Sequence, residues 1–120
     1  MSLFRAIPIG VHGAIEMLAA PLLLVAPFVL GFGYLAGAIS IALGVLLIGL
    51  AGSIYGKGET ASVPLTAHAG LDQVLAAVTI AVGIVLLLTG SYAAGIFMAG
   101  FGFAHMALTA STRYSRPLGT

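Results

Sequence analysis

Four apolar stretches, each long enough to cross a lipid bilayer as a helix, dominate this sequence of 120 residues. They cover residues 6–30, 35–54, 64–89 and 92–112. A spanning helix needs about 20 apolar residues, because the hydrocarbon core of a bilayer is about 30 Å thick and a helix rises about 1.5 Å per residue. The mean hydropathy of +1.21 agrees with this interpretation. The sequence therefore predicts an all-α integral membrane protein, a single transmembrane domain over residues 1–120 with four transmembrane helices.

The basic residues indicate how these helices are oriented. Arg5 precedes the first span, Lys57 lies between the second and third, and Arg113 and Arg116 follow the fourth. All four therefore fall on one side of the bundle, and positively charged segments remain preferentially in the cytoplasm. We expect a multi-pass protein of the cell (inner) membrane with both termini and the 55–64 loop in the cytoplasm. The first span is longer than the apolar core of a secretory signal, so we expect it to be retained.

The second half of the chain repeats features of the first half at an offset of 56 residues. The matched pairs are His12 with His68, Glu16 with Asp72, Ala20 with Ala76, Gly44 with Gly100 and Ala51 with Ala107. Self-similarity at a fixed offset is typical of a duplicated structural unit. We expect a tandem duplication of a helical hairpin, with repeat 1 at about residues 5–56 and repeat 2 at about residues 61–112. The two hairpins would be related by a pseudo-twofold axis along the membrane normal.

Small residues recur every seven positions in each predicted span. They are Gly13, Ala20 and Pro27; Gly37, Gly44 and Ala51; Ala69, Ala76 and Gly83; and Ala93, Gly100 and Ala107. Helices in lipid associate through close backbone approach along small residues, because burying an apolar side chain gains little there. We expect these positions to form the faces along which the helices pack.

Two carboxylates inside the predicted spans are the residues that most need an explanation. Of the seven Asp, Glu, Lys and Arg residues, only Glu16 and Asp72 lie within spans. A charged side chain at the centre of a spanning helix costs about 2.5–3.5 kcal/mol on insertion scales, so such a residue usually serves a function. His12 and His68 each precede one of these carboxylates by four residues, which places each pair on one helix face.

The third histidine belongs to the same layer by depth. His105 lies about 12 Å along the helix from Arg113, on the membrane side that also carries His12 and His68. Gln73 follows Asp72 and is a further candidate neighbour. The candidate ligand or proton site therefore consists of His12, Glu16, His68, Asp72, His105 and Gln73.

The residues leave several roles open for this site. The pairs could hydrogen-bond within the membrane and stabilise the bundle, which is the role we expect for a small structural or assembly subunit. The set His12, Glu16, His68 and Asp72 also has the donor types that bind a transition metal. A haem b held by His12 and His68 is a third role, and transfer of protons or small solutes through the same residues is a fourth.

The segment APFVLGF (26–32), followed by an apolar helix rich in Gly and Ala, resembles the SPW-repeat family of small bacterial and archaeal membrane proteins. That family is named for a Ser-Pro-Trp motif at the end of a first helix, which occurs singly or in tandem. Here the motif is Ala26-Pro27-Phe28, and the second half has VGIV (82–85) without a proline. The resemblance implies a membrane unit of two or four helices and assigns no site residues.

Composition excludes several other classes of function. The chain has no cysteine, so thiolate metal sites, disulfides and thiol nucleophiles are absent. A net charge of +1 gives no basic surface for nucleic acid. No motif points to a substrate, so we do not expect an enzyme. The expected partners are the lipid bilayer and either further copies of the chain, in a homo-oligomer, or the other subunits of a larger membrane complex.

Overall fold

The computed structural model describes residues 5–55 and 64–115, and these residues fold into α-helices without any strand. The helices are α1 (Ile9–Leu30), α2 (Tyr34–Gly52), α3 (Leu65–Leu88) and α4 (Tyr92–Ala110), and a short 3₁₀ helix, Ser53–Tyr55, continues α2. All four α-helices are long and apolar enough to cross a membrane. The prediction of an all-α protein with four helices long and apolar enough to span a membrane is therefore confirmed, whereas the orientation and the duplication stay predictions.

Prolines set the beginnings of α1 and α3. Pro8 and Pro64 precede these helices in the extended conformation, with φ −66° and ψ 152° for Pro8 and φ −61° and ψ 148° for Pro64. A proline at a helix start suits the chain, because its missing N–H would have no partner within the helix. His12 and His68 then donate their backbone N–H groups to the carbonyls of Pro8 and Pro64, at 3.0 and 2.9 Å. The two helices therefore begin at equal distances from their histidines.

The hydrogen bond that Pro27 removes from α1 is replaced by one from the neighbouring helix. Pro27 has no N–H to donate to the carbonyl of Leu23 one turn earlier, so that carbonyl loses its helical partner. The hydroxyl of Ser40 on α2 donates to this Leu23 oxygen at 2.6 Å. Freed carbonyls inside a membrane protein are commonly satisfied in this way by a neighbouring helix. This hydrogen bond joins α1 to α2 in the middle of the bundle.

The helices pack as two hairpins. α1 packs along α2 and α3 packs along α4, while contacts between the hairpins, through α1 with α4 and α2 with α3, are less extensive. The apolar core at mid-height consists of Ala20, Leu23, Leu43, Leu47 and Met98. A second apolar cluster, Ala26, Phe32, Ala36 and Ala94, lies towards the tight turns. The buried ionisable side chains lie at the opposite end of the bundle, which carries residues 5–8 and 111–115.

The prediction of a small-residue packing face holds for α1 and α2, and for Ala76 and Gly83 of α3, but it is wrong for α4. Ala93, Gly100 and Ala107 are exposed, and Gly95 and Gly102 lie on the packing face instead. The reason is that α3 has 24 residues where α1 has 22. Two extra residues turn the helix by about 200°, so a constant offset of 56 places the α4 positions on the wrong side.

Glycine allows α3 and α4 to approach very closely. A Cβ atom on Gly83 would lie 2.4 Å from the backbone nitrogen of Ala99, and one on Gly102 would lie 2.8 Å from the backbone nitrogen of Ile80. No side chain fits at either position without separating the helices. In the first hairpin the corresponding contacts are with side chains. A Cβ on Gly37 would lie 3.4 Å from the Cβ of Pro27, and one on Gly44 would lie 2.8 Å from Cδ2 of Leu24.

Candidate metal centre

Five ionisable side chains from three helices meet at one end of the bundle. His12 and His68 are the fourth residues of α1 and α3, and Glu16 and Asp72 are the eighth. His105 approaches from the last two turns of α4. His12, His68 and Asp72 are fully buried, and Glu16 and His105 are 1% and 6% exposed. We call these five residues the centre.

The two histidines of the repeated pattern contact both carboxylates, within their own helix and across to the other hairpin. The Nε2 atom of His12 lies 3.0 Å from Glu16 Oε2 and 2.9 Å from Asp72 Oδ2. The Nε2 atom of His68 lies 3.4 Å from Glu16 Oε1 and 3.2 Å from Asp72 Oδ2. Each carboxylate is therefore shared between the hairpins, and the polar side chains of α1 and α3 form one group.

His105 joins this group from α4. Its Nε2 atom lies 2.8 Å from Glu16 Oε2, and it lies 3.6 Å from Asp72 Oδ1. The second distance is too long for a hydrogen bond. All three histidines thus direct the same ring nitrogen, Nε2, towards the two carboxylates.

The protonation of His12 follows from its neighbour Thr112. The Thr112 hydroxyl donates its one proton to the carbonyl of Leu108 at 2.6 Å. Its oxygen lies 2.7 Å from Nδ1 of His12, so that nitrogen carries a hydrogen and donates it to Thr112. With Nδ1 protonated, Nε2 faces the two carboxylates either as the second N–H of an imidazolium or as a free lone pair.

Tyr114 closes the centre from the outside. Its hydroxyl donates to Asp72 Oδ2 at 2.7 Å. Its ring packs edge-on against the ring of His12, with centroids 5.2 Å apart, and lies 6.0 Å from the ring of His68. Burial raises the pKa of the Tyr114 phenol above its ordinary value, and the nearby carboxylate of Asp72 raises it further, so the hydroxyl keeps its proton and acts as a donor.

Two buried polar atoms of the centre have no hydrogen-bond partner among the described residues. They are Oδ1 of Asp72 and Nδ1 of His68. A buried polar atom without a partner costs about 1–3 kcal/mol. Asp72 Oδ1 belongs to a carboxylate that lies inside the centre, so it is available to a further group bound there.

One of the sequence candidates does not join the centre. Gln73 is exposed, because it follows Asp72 by one residue and a single helical step turns the side chain by about 100°. Thr112 and Tyr114 do join, and the sequence analysis missed both. The spacing of Thr112, seven residues or two helical turns after His105, could have indicated that the two share a face. Nothing comparable pointed to Tyr114.

The arrangement of the imidazoles does not suit a haem held by His12 and His68. Axial ligands lie on opposite faces of the macrocycle, which must fit between them. Here the ring centroids are 5.8 Å apart, and both carboxylates contact the Nε2 atoms of both rings. A flat macrocycle would have to displace the two carboxylates that hold the imidazoles in place.

The same arrangement does suit a single ion. One ligand atom from each of His12, Glu16, His68 and Asp72 can be chosen such that all four lie within 4.8 Å of one another. Imidazole nitrogen and carboxylate oxygen are the ligand types that Zn²⁺, Fe²⁺ and Mn²⁺ accept. The His105 Nε2 atom lies beside both carboxylates and is a further donor of the same type.

A cavity of about 220 Å³ beside the centre opens between α1 and α4. Glu16 and His105 form the polar part of its wall. The remaining lining is apolar and consists of Ile15, Ala19, Leu22, Leu47, Phe101, Ala104 and Leu108. The cavity therefore reaches the centre at Glu16 and His105.

Comparison with known proteins finds no match for this chain among protein-family models, curated proteins or solved structures. The resemblance to the SPW-repeat family therefore stays a prediction that rests on residues 26–32.

Proposed function

We propose that this protein binds a divalent first-row transition-metal ion within the membrane, at the centre formed by His12, Glu16, His68, Asp72 and His105. The observation that carries the proposal is the convergence of three imidazole Nε2 atoms on two buried carboxylates. Buried charges in membrane proteins are rare and usually functional. Three imidazoles and two carboxylates at one point, drawn from both hairpins, are more than helix packing requires.

The distances in the centre fit a coordination sphere. For metal–ligand bonds of about 2.0–2.2 Å, neighbouring ligand atoms lie about 2.8–3.6 Å apart in octahedral or tetrahedral geometry. The six contacts between the histidine Nε2 atoms and the carboxylate oxygens span 2.8 to 3.6 Å. An ion could therefore bind with small adjustments of side chains that are already in place.

Charge supports the same conclusion. Glu16 and Asp72 bring two negative charges into a buried site, and uncompensated charge is costly there. A divalent cation coordinated by these carboxylates and by neutral imidazoles would leave the centre without net charge. The Nδ1–H of His12, which Thr112 accepts, leaves Nε2 of the neutral ring with its lone pair directed into the centre.

The donor set favours ions of intermediate hardness. Imidazole suits Zn²⁺ and Fe²⁺, and carboxylate suits Mn²⁺ and Fe²⁺, whereas Cu⁺ prefers thiolate and thioether ligands. The chain has no cysteine. We therefore expect Zn²⁺, Fe²⁺ or Mn²⁺.

Orientation and architecture are part of the proposal. The distribution of basic residues supports an inner-membrane protein with both termini in the cytoplasm, so the centre would lie near the cytoplasmic face. Buried positions support a duplicated hairpin, since every buried residue of α3 lies 56 residues after a buried residue of α1, and every buried residue of α4 lies 58 residues after a buried residue of α2. For α2 and α4 the matched buried residues are Ala36 with Ala94, Gly37 with Gly95, Ser40 with Met98, Gly44 with Gly102, Leu47 with His105 and Ala51 with Thr109.

Metal analysis of the full chain, purified in detergent, tests the proposal. After loading with Zn²⁺, Fe²⁺ or Mn²⁺ alone and removal of excess ion, we expect about one ion per chain for at least one of them. Asp72→Asn should weaken binding by more than about 100-fold, since even the loss of an outer partner typically costs 10- to 100-fold. Gln73→Ala, one residue away and exposed, is the matched control and should bind as the parent does.

A parent protein that is helical by circular dichroism and retains none of the three ions would overturn the proposal. Equal binding by Asp72→Asn and the parent would overturn the assignment of this site.

A second candidate function is a structural or assembly subunit in which the centre acts without an ion. The distances between the histidine nitrogens and the carboxylate oxygens also suit charged hydrogen bonds. Away from the centre the two hairpins make limited contact, so these hydrogen bonds would hold them together. In this case Glu16→Gln and Asp72→Asn would destabilise the bundle, or its association into oligomers, equally with and without chelator. Under the metal proposal the destabilisation would be larger for the ion-loaded protein.

A further inference from the structure

The segment after α4 reaches back over the centre and is held there by backbone hydrogen bonds. Ile7 donates its N–H to the carbonyl of Ser111 at 3.0 Å, and Arg113 donates its N–H to the carbonyl of Ile7 at 2.9 Å. The two segments form an isolated parallel bridge between Ile7 and Thr112. We call residues 111–115 the strap.

Two strap side chains contact the centre directly, from the end of the bundle where α1 and α3 begin. Thr112 is fully buried and accepts the Nδ1–H of His12 at 2.7 Å. Tyr114 donates to Asp72 Oδ2 at 2.7 Å, and its ring lies against the rings of His12 and His68. No other described residue outside the centre donates a side-chain hydrogen bond to it or accepts one from it.

We propose that the strap is part of the metal site, with Thr112 and Tyr114 as positioning residues that hold His12 and Asp72 in their ligating arrangement and slow the exchange of the ion. This inference rests on the proposed function. A metal-bound histidine usually donates its other ring N–H to an oxygen, which fixes its orientation and raises its basicity as a ligand. Thr112 plays this part for His12, and its own hydroxyl proton is engaged by Leu108.

The strap makes a hydrogen bond with only one of the two histidines at the fourth position of their helices. His12 has Thr112 at its Nδ1, whereas Nδ1 of His68 has no hydrogen-bond partner among the described residues. Ion release therefore depends on how firmly His12 is held. The strap itself is attached by few backbone hydrogen bonds, and short segments attached in this way open locally at low free-energy cost. Its detachment would uncover His12, His68 and Asp72 together.

Release kinetics test the inference. The parent is loaded with Zn²⁺ and mixed with excess EDTA, and the Zn²⁺ remaining on the protein is measured over time. Thr112→Val keeps the shape of the side chain and removes the acceptor oxygen, and we expect release at least about 10-fold faster. Thr112→Ser retains the hydroxyl and should release close to the parental rate. Tyr114→Phe should also accelerate release.

Matched controls make the same chemical changes away from the centre. Thr79→Val removes a buried hydroxyl that bonds only within α3, and Tyr55→Phe removes an exposed phenol that donates to Gly10. Both should release Zn²⁺ as the parent does. Release within twofold of the parental rate in both Thr112→Val and Tyr114→Phe, with Zn²⁺ still bound one to one, would overturn the inference while leaving the metal proposal intact.

A second measurement does not require an ion. In ¹⁵N-histidine NMR spectra of the chelator-treated protein, His12 should carry its hydrogen on Nδ1, and Thr112→Val should change that signal while Thr112→Ser preserves it. An unchanged His12 signal in Thr112→Val would overturn the role of Thr112 whether or not the parent binds Zn²⁺. Absence of Zn²⁺ from a folded parent would instead overturn the proposed function, and the role of the strap in ion exchange with it.

Discussion

The two hairpins place equivalent residues at equal depth but pack in different ways. The first is joined by a side-chain hydrogen bond from Ser40 to the carbonyl that Pro27 leaves free. The second brings backbone against backbone at Gly83 and Gly102. What they share is the helix start, where Pro8 and Pro64 set His12 and His68 in the fourth position. The depth of the histidine–carboxylate pairs therefore depends on where α1 and α3 begin, and little on how the helices pack further along.

The hairpins differ most in what their second helices contribute to the centre. At the offset of 58 that matches the buried faces of α2 and α4, Leu47 corresponds to His105 and Ile54 corresponds to Thr112. The first hairpin thus presents apolar side chains where the second presents an imidazole and a hydroxyl. Two histidines and two carboxylates of the centre occupy the same positions in α1 and α3, whereas His105 and the strap have no counterpart of the same kind in the first hairpin.

The largest effect should come from filling the close contact of the second hairpin. Gly83→Ala would place a Cβ 2.4 Å from a backbone nitrogen of α4, so the helices must separate, and we expect a loss of about 3 kcal/mol or more in the free energy of unfolding. Gly37→Ala in the first hairpin should be neutral or stabilising by up to about 1 kcal/mol, because alanine favours helix and the contact is ordinary. Circular dichroism during titration with a denaturing detergent measures both.

Equal effects of Gly83→Ala and Gly37→Ala would contradict the difference in packing between the hairpins. Gly100→Ala, at an exposed α4 position with open space around its Cα, is a control on the second hairpin and should leave the free energy of unfolding unchanged or slightly increased.

The second prediction concerns His105. His105→Leu makes the second hairpin resemble the first, and we expect Zn²⁺ affinity to fall by at least about 10-fold, or about 1.4 kcal/mol, while the other four ligands remain. Competition with a chromophoric chelator measures the change.

Moving the histidine from α4 to the corresponding position of α2 tests this prediction further. Leu47 lines the same cavity as Glu16 and His105, so the double variant His105→Leu with Leu47→His should recover part of the lost affinity. Unaltered affinity in the single variant would show that His105 contributes no bond to the ion.

The smallest effect is expected at the hydrogen bond between α1 and α2. Ser40→Ala leaves the carbonyl of Leu23 without its donor and should cost about 1 kcal/mol, as interhelical hydrogen bonds in membranes typically contribute about 0.6–1.7 kcal/mol. Ser53→Ala removes a hydroxyl that bonds within its own helical segment and is the control. Met98 is the residue of α4 that corresponds to Ser40 of α2, and it makes no such hydrogen bond. Met98→Leu should therefore change only the packing of side chains. A cost for Ser40→Ala no larger than that for Ser53→Ala would contradict the compensating role of Ser40.

Much of the fold could be predicted because bilayer thickness and helical periodicity are strong constraints. The four spans follow from the length of the apolar stretches, and a spacing of four residues places His12 above Glu16 on any helix. The depth of His105 followed from the helical rise alone. These properties depend on geometry that every α-helix shares.

The packing face of α4 and the positions of Thr112 and Tyr114 could not be predicted from one constant offset between the two halves of the chain. Two extra residues in α3 turn Ala93, Gly100 and Ala107 away from the core. The Thr112 and Tyr114 side chains lie beyond the end of α4, in a segment whose path over the centre is set by backbone pairing with residue 7. Hydropathy and helical periodicity contain no information about such a return of the chain.

The position of the strap beside His12 also allows metal occupancy of the centre to be measured by fluorescence. Arg113 is exposed and adjoins Thr112, which touches His12. The chain has no cysteine, so Arg113→Cys would create a single thiol for attaching a fluorophore. A paramagnetic Co²⁺ among the imidazoles would then quench the dye over a short distance, and brightness would report occupancy in real time in intact proteoliposomes.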